Sequence, residues 1–160
     1  MEIPQVVRSA RFFLAVPAVT FTLWAADPTV GSWTLNVAKS RFLSGPAFRA
    51  ETRTYVEQTD GVKVSIRTTE ATGKVVTTEY LAAYDGQVHP VSGAGGPADA
   101  VALKKVNEYV AESILLHAGR EVATTRRVVS SDLKTMTITY KGLDPRGQQV
   151  DYTLVYERKN

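Results

Sequence analysis

The segment KTMTITYKGLDPRGQQVDYTLVYER, residues 134–158, consists of two alternating stretches joined by one turn signal. The residues that recur at every second position are Met136, Ile138, Tyr140, Tyr152, Leu154 and Tyr156. Successive side chains of a β-strand point to opposite faces, so this period places them on one buried face. The residues DPRG at 144–147 favour a turn. The segment therefore predicts an antiparallel β-hairpin.

The same pattern extends along the chain from residue 58. Turn signals occur at Asp60-Gly61, Thr72-Gly73, Asp85-Gly86, 93–97, Asn107-Glu108, Ala118-Gly119, Ser131-Asp132 and 144–147. Most of them lie about 11 to 14 residues apart, a spacing typical of sandwiches and barrels. Asp-Gly pairs between alternating stretches are strong hairpin signals.

These signals predict an all-β domain with a strand at 32–36 and about nine more strands between residues 49 and 157. Residues 98–112 contain good helix formers, but the turn signal inside them favours two short strands. A meander of this length best protects its edges by closing on itself. We therefore predict an up-and-down antiparallel β-barrel of about ten strands, and a two-sheet sandwich is the alternative. Charged residues on both strand faces argue against an outer-membrane barrel.

The N-terminus has the composition of an export signal. Arg8 and Arg11 precede an uncharged apolar stretch at 12–25, which ends in small residues. We predict a signal peptide at 1–25 and one barrel domain at 26–160, located in the periplasm or outside the cell. An uncleaved anchor and a buried N-terminal helix are the alternatives. The chain contains no cysteine, so the domain folds without disulfides.

Charge and motifs exclude several classes of function. Without residues 1–25 the chain carries 17 basic and 15 acidic residues, which is too balanced for nucleic-acid or anionic-membrane binding. His89 and His117 have no partners at metal-ligand spacing. Nucleophile-elbow, zinc-protease and phosphate-loop motifs are absent from the sequence. We expect no metal, no cofactor and no membrane span in the mature chain, and the oligomeric state stays open.

The stretch GSWTLNVAKS, residues 31–40, carries a family resemblance. Gly31 two residues before Trp33, with Arg158 near the C-terminus, resembles the calycin group of lipocalins and fatty-acid-binding proteins. This resemblance implies that Trp33 closes one barrel end under the Arg158 guanidinium, although an indole there could also form cavity wall. The stretch also resembles the start of small exported bacterial proteins with no established activity.

The C-terminal part is similar to the last strands of fatty-acid-binding proteins, through residues 119–142 and 153–159. The resemblance implies that Arg126 faces inward to hold a ligand carboxylate and that Tyr156 faces inward beside it. Leu154 stands where that family has a second arginine. The stretch 37–51 reads as a loop and has no counterpart of the family's helical lid.

Other residues complete the predicted lining. Alternation turns either Arg126 or Arg127 inward, and the alternative is that both lie exposed on an edge or rim. An inward arginine needs a carboxylate ligand or an internal acid such as Glu79. The remaining predicted ligand-binding residues are Tyr80, Tyr84, Tyr140 and Tyr152. Aromatic walls with a few hydroxyls suit an amphipathic ligand.

Three functions are compatible with these features. The leading hypothesis is an exported protein that binds a small hydrophobic or amphipathic, fatty-acid-like molecule inside the barrel. The alternatives are a structural or interaction protein of the cell envelope with a filled barrel, and a small isomerase- or cyclase-type enzyme. No catalytic residue is assigned, and a non-enzymatic role is favoured.

Overall fold

The computed structural model describes residues 27–46, 48–93, 96–144 and 146–159. The predicted signal peptide at 1–25 lies outside the described residues. The described residues form a single β-structure of eleven strands and one short 3₁₀ turn. Within the described ranges, no helix is long and apolar enough to span a bilayer.

The strands follow the predicted hairpin pattern. Their bounds are β1 Gly31–Leu35, β2 Arg41–Ser44, β3 Ala50–Gln58, β4 Gly61–Thr69, β5 Val75–Ala82, β6 Asp85–Gly93, β7 Ala100–Asn107, β8 Val110–His117, β9 Arg120–Val129, β10 Thr135–Leu143 and β11 Gln149–Arg158. The stretch 98–112 forms two strands, β7 and β8, as predicted. Each neighbouring pair from β3 to β11 is antiparallel.

The sheet closes on itself. β1 pairs with β3 on one side and with β11 on the other, with Trp33 opposite Arg158 and Leu35 opposite Tyr156. Because the first and last strands share hydrogen bonds, the strands form a closed ten-position barrel rather than a sandwich. The predicted up-and-down barrel is confirmed.

The first position of the barrel is split into two short strands. β1 ends at Leu35, the chain makes a 3₁₀ turn at Val37–Lys39, and β2 resumes the pairing with β11. Asn36 caps this turn by accepting a hydrogen bond from the Lys39 backbone N–H at 3.1 Å. The prediction of a simple loop over 37–51 is therefore wrong at residues 41–44, where strand pairing continues.

Alternate residues of every strand face the interior, which we call the lumen. At one end it is tightly packed, and the fully buried residues there include Trp33, Met136 and Tyr156. Glycine permits a close approach between strands at Gly142, whose φ is +153° and where a side chain would collide with Ala123. Beyond this packed end, the side chains that line the lumen leave space between them.

Candidate functional site

An indole and a guanidinium close one end of the barrel. The Arg158 guanidinium carbon lies 4.2 Å from the centre of the Trp33 ring, within cation–π range. Its Nη1, Nη2 and Nε donate hydrogen bonds to the carbonyls of Val30, Pro28 and Leu133 at 2.6–2.7 Å. Trp33 Nε1 donates to the Thr29 carbonyl at 2.7 Å. These bonds tie the segment before β1 across the floor of the lumen.

Gly31 is required for this closure. Its φ is +127°, and a Cβ there would lie 2.6 Å from Arg158 Nη1. The structure thus brings Gly31, Trp33 and Arg158 together at the floor. Trp33 has no exposed surface and does not line the cavity above it.

A cavity of about 650 Å³ occupies the lumen above the floor. It extends from Arg53, Tyr55 and Arg127 to the rim formed by residues 70–74 and 96–98. This volume falls within the range of small-molecule binding sites, about 300 to 1,000 Å³. The barrel is therefore not filled by its own side chains.

Aromatic side chains line the rim half of the cavity. Phe48 and Tyr152 meet edge to face with ring centres 5.4 Å apart, and Tyr140 stacks on Tyr152 at 5.9 Å. The Tyr140 hydroxyl donates to the Leu143 carbonyl at 2.6 Å. These rings present apolar faces to the lumen and direct their hydroxyls toward the backbone at the rim.

A buried ion pair lies on the inward face of β3. Glu51 is 3% exposed, and its Oε1 accepts hydrogen bonds from Arg53 Nε and from the Tyr156 hydroxyl, both at 2.6 Å. Its Oε2 accepts from the Thr68 hydroxyl at 2.6 Å. Both carboxylate oxygens are thus satisfied, as a buried charge requires. The Glu51–Arg53 pair is electrically neutral.

Arg127 is a buried cation without an acidic partner among the residues that the structure describes. Its side chain faces the lumen from β9 and is 7% exposed. Nη2 donates to the Tyr84 hydroxyl at 2.6 Å, and the guanidinium lies 5.0 Å from the Tyr55 ring centre. Its Nε is buried and has no hydrogen-bond partner among the described residues. Arg127 therefore places a positive charge at the inner end of the lumen that no described carboxylate pairs with.

The arginine pair on β9 divides between the two faces. Arg126, which the resemblance implied as the inward residue, lies on the outer face and forms an ion pair with Glu112 on β8. Strand alternation then turns Arg127 inward. The lumen-facing arginine is thus Arg127, and Arg126 does not line the cavity. Glu79, the predicted internal acid, lies between the cavity-lining residues Thr78 and Tyr80 and points to the opposite face of β5. The acid that lies inside the barrel is Glu51.

The predicted tyrosines occupy three different environments. Tyr80, Tyr140 and Tyr152 line the cavity. Tyr156 is fully buried against Glu51, and Tyr84 sits at the floor beneath Arg127. The structure thus brings Tyr84 and Arg127 together, but it places Tyr156 on the neutral Glu51–Arg53 pair instead.

The buried phenols remain protonated donors at neutral pH. Burial raises the pKa of Tyr84, and the charge of Arg127 only partly opposes that rise. Burial also raises the pKa of Tyr80 and of Tyr156 well above its ordinary range. Burial opposes the charge of Arg127 as well, yet Tyr55, Tyr84 and Tyr80 hold its pKa above the ordinary value. Arg127 is therefore charged, and the tyrosines around it are neutral.

Sequence reasoning did not find Glu51, Arg53 or Tyr55 as lumen residues. The signal was present in AETRTYVEQ at 50–58, where Glu, Arg and Tyr alternate with Thr, Thr and Val. Hydropathy places Val56 inward, whereas the observed register exposes it and turns the charged face toward the lumen. This register is favourable because the Tyr156 and Thr68 hydroxyls donate hydrogen bonds to the inward carboxylate of Glu51.

The histidines lie apart from the lumen. His89 contacts Asp85 at 3.2 Å on β6, and His117 lies near Asp99 at 3.4 Å. Across the described parts of the chain, no group of three or more His, Cys, Asp or Glu side chains is placed to hold a metal ion.

Together these features define a closed antiparallel barrel with one plugged end and a cavity that contains an unpaired arginine. The architecture is consistent with a calycin-like fold. No protein-family model matches this chain, and no curated protein matches it significantly. The functional assignment therefore depends on the fold and the cavity.

Proposed function

We propose that this chain is a calycin-like, exported carrier that binds a small amphipathic anion in its lumen. The observation that carries the proposal is Arg127, a buried cation with no acidic partner, at the inner end of a cavity of about 650 Å³. An isolated buried charge is costly unless something compensates it. A ligand anion supplies that compensation.

The positions of the charged residues indicate how the ligand is oriented in the lumen. Arg127 bonds to Tyr84, and Lys105 lies 4.9 Å above the Tyr84 ring while its Nζ contacts Asp27 at 3.0 Å, near the plugged floor. The anionic group would therefore enter first and sit deepest. The apolar part would extend past Ile138 and Leu154 toward the aromatic rim. Each buried methylene contributes about 0.8 kcal/mol.

The two alternative functions fit the structure less well. A structural protein with a filled barrel does not need a cavity of this size. An enzyme needs an acid–base group facing the reacting atoms, and both Glu51 oxygens are already engaged by Arg53, Tyr156 and Thr68. Ligand binding and transport require only the cavity and the Arg127 cation, and no acid–base group.

Calorimetric titration with decanoate and decanol, below micellar concentration, tests the proposal. We expect saturable one-to-one binding of decanoate to the wild type. Arg127→Gln weakens decanoate binding about 10- to 100-fold, since a charge-assisted contact is lost, and changes decanol binding little. Arg126→Gln, on the outer face, is the matched control and leaves both unchanged.

A lumen-filling variant tests the location of binding. Thr125 lines the cavity, and Thr124 beside it points outward. Thr125→Trp abolishes decanoate binding, whereas Thr124→Trp retains it, with folding of both checked by thermal unfolding. Equal binding by the two variants would place the ligand outside the lumen and reject the carrier role.

Export is the second part of the proposal, supported by the charge and apolar pattern of residues 1–25. Expression of the full chain in a Gram-negative host, followed by fractionation and intact-mass measurement, checks it. We expect a product that begins near Ala26 or Asp27 in the periplasm or the medium. A full-length product in the cytoplasm would contradict export and leave the carrier role to the binding experiments.

A further inference from the structure

The cavity contains more hydrogen-bond donors near Arg127 than a carboxylate can accept. Arg53 uses only its Nε, toward Glu51 and Tyr156, and its Nη1 and Nη2 donate to no described residue. The Tyr55 and Tyr80 hydroxyls also lack a hydrogen-bond partner in the parts of the chain that the structure describes. We call Arg53, Tyr55, Tyr80 and Arg127 the donor cluster.

The members of the donor cluster lie close together. The Arg127 guanidinium is stacked 5.0 Å from the centre of the Tyr55 ring. Val64 on β4 pairs with Tyr55 on one side and with Tyr80 on the other, so the two tyrosines lie at the same level of the barrel. All four side chains line the same cavity. A single head group in this part of the lumen therefore meets two guanidinium groups and two phenols.

Donor number and charge together restrict the head group. A carboxylate has two oxygens with about four lone-pair positions, whereas an arginine carries five N–H donors. A phosphoryl or sulfonyl group presents three acceptor oxygens in a tetrahedral arrangement. Arg53 is neutralised by Glu51 at 2.6 Å, so the net positive charge of the donor cluster comes from Arg127. Two arginine forks on different strands also suit acceptors that point in several directions.

We propose that the lumen selects a tetrahedral oxyanion head group, a sulfonate, sulfate ester or phosphate on an apolar tail, in preference to a carboxylate. This inference rests on the proposed carrier function. In the bound state Arg127 and Arg53 approach the oxyanion from two sides, and the Tyr55 and Tyr80 hydroxyls donate to the remaining oxygen positions. Tyr156 and Thr68 hold Glu51, which keeps Arg53 oriented toward the cavity.

A matched ligand series tests the proposal by calorimetry at neutral pH, below micellar concentration. The ligands are decanoate, decanesulfonate and decyl phosphate. We expect the sulfonate or the phosphate to bind about tenfold or more tightly than the carboxylate. The order of these two distinguishes a sulfonated from a phosphorylated natural ligand. Equal or tighter binding of decanoate would overturn the inference and retain the carrier function, whereas no binding of any ligand would reject the carrier function itself.

Two variants assign the preference to the donor cluster. Tyr80→Phe removes one O–H without changing charge, and Glu51→Gln with Arg53→Gln removes guanidinium donors while leaving the pair neutral. Both lower the ratio of sulfonate to carboxylate affinity, and the double variant lowers it to about one. The matched control is Asp151→Asn with Lys141→Gln, which removes an ion pair between β10 and β11 outside the cavity and leaves the ratio unchanged. An unchanged ratio in Tyr80→Phe, whose small change preserves the fold, contradicts the proposal even if the double variant unfolds.

Discussion

The Tyr156 hydroxyl donates a 2.6 Å hydrogen bond to the buried carboxylate of Glu51, which connects the last strand of the barrel to β3 across the short strand β1. Leu35 lies between them, directly opposite Tyr156 on β1. The pair thus fixes the closure of the barrel from inside. It also holds the carboxylate that orients Arg53 toward the cavity.

Removing this hydroxyl destabilises the barrel. Tyr156→Phe takes away a hydrogen bond to a buried charge, and we expect the free energy of unfolding to fall by about 1.5–3 kcal/mol. Urea titration followed by tryptophan fluorescence measures it. Tyr109→Phe is the control, because the Tyr109 hydroxyl bonds to no described side chain, and its effect stays within about 0.5 kcal/mol. Similar losses in both variants would contradict a special role for the Glu51 contact.

Substitution of Arg127 and substitution of Arg53 change the free energy of unfolding in opposite directions. Arg127→Met removes a buried charge that has no acidic partner, so it raises the free energy of unfolding of the unliganded protein by about 1 kcal/mol or more. Arg53→Met leaves Glu51 buried and unpaired and lowers it by about 3–5 kcal/mol. Chemical denaturation without added ligand checks both values. A strong loss of stability in Arg127→Met would mean that Arg127 is a structural residue.

Gly31 is sensitive to a single added methyl group. Gly31→Ala forces a Cβ to within 2.6 Å of Arg158 Nη1 at a φ of +127°, so the floor must open or shift. We expect a loss of about 2–4 kcal/mol and a change in Trp33 fluorescence. Gly86→Ala, at a φ of +75° and with nothing within 4 Å of the added Cβ, costs about 1 kcal/mol. Thermal unfolding compares the two variants, and an equal loss in both would show that the floor accommodates the methyl group.

Acid weakens the contact between the segment before β1 and the barrel. Burial opposes ionisation of Asp27, but the Thr29 backbone N–H and Lys105 outweigh it and hold the Asp27 pKa below its ordinary 3.8. A carboxylate with a depressed pKa stabilises the fold above its unfolded pKa, and this contribution disappears as pH falls through the folded value. We therefore expect the free energy of unfolding to fall below about pH 4.

Asp27→Asn identifies the Asp27 contribution. Denaturation curves between about pH 5 and pH 2 become flatter in this variant, because it no longer takes up a proton at that site on unfolding. Asp60→Asn, in the β3–β4 turn, serves as the control and keeps the wild-type slope, since Asp60 bonds to no described residue. Parallel curves for wild type and Asp27→Asn would show that the Thr29 and Lys105 contacts of Asp27 contribute nothing.

The local sequence pattern was sufficient to predict the strands and turns. Period-two alternation in β10 and β11, and Asp-Gly turns such as Asp60-Gly61, depend on backbone geometry that acts over a few residues. The split of the first strand was not visible locally. β2 forms because β11 offers hydrogen-bonding groups at residues 151–153, and a partner strand more than a hundred residues away leaves no mark in the sequence around Arg41.

By itself, the sequence determined an all-β meander of about ten strands, because strand alternation and turn chemistry are short-range properties. The Gly31–Trp33–Arg158 combination was implied by the resemblance to the calycin group. Tertiary structure alone decided that Arg127, rather than Arg126, faces the lumen, and that Glu51 and Arg53 lie inside. A shift of one residue in register exchanges the two faces of a strand. That register is set by partners such as Tyr84 and Tyr156, which only the folded barrel brings together.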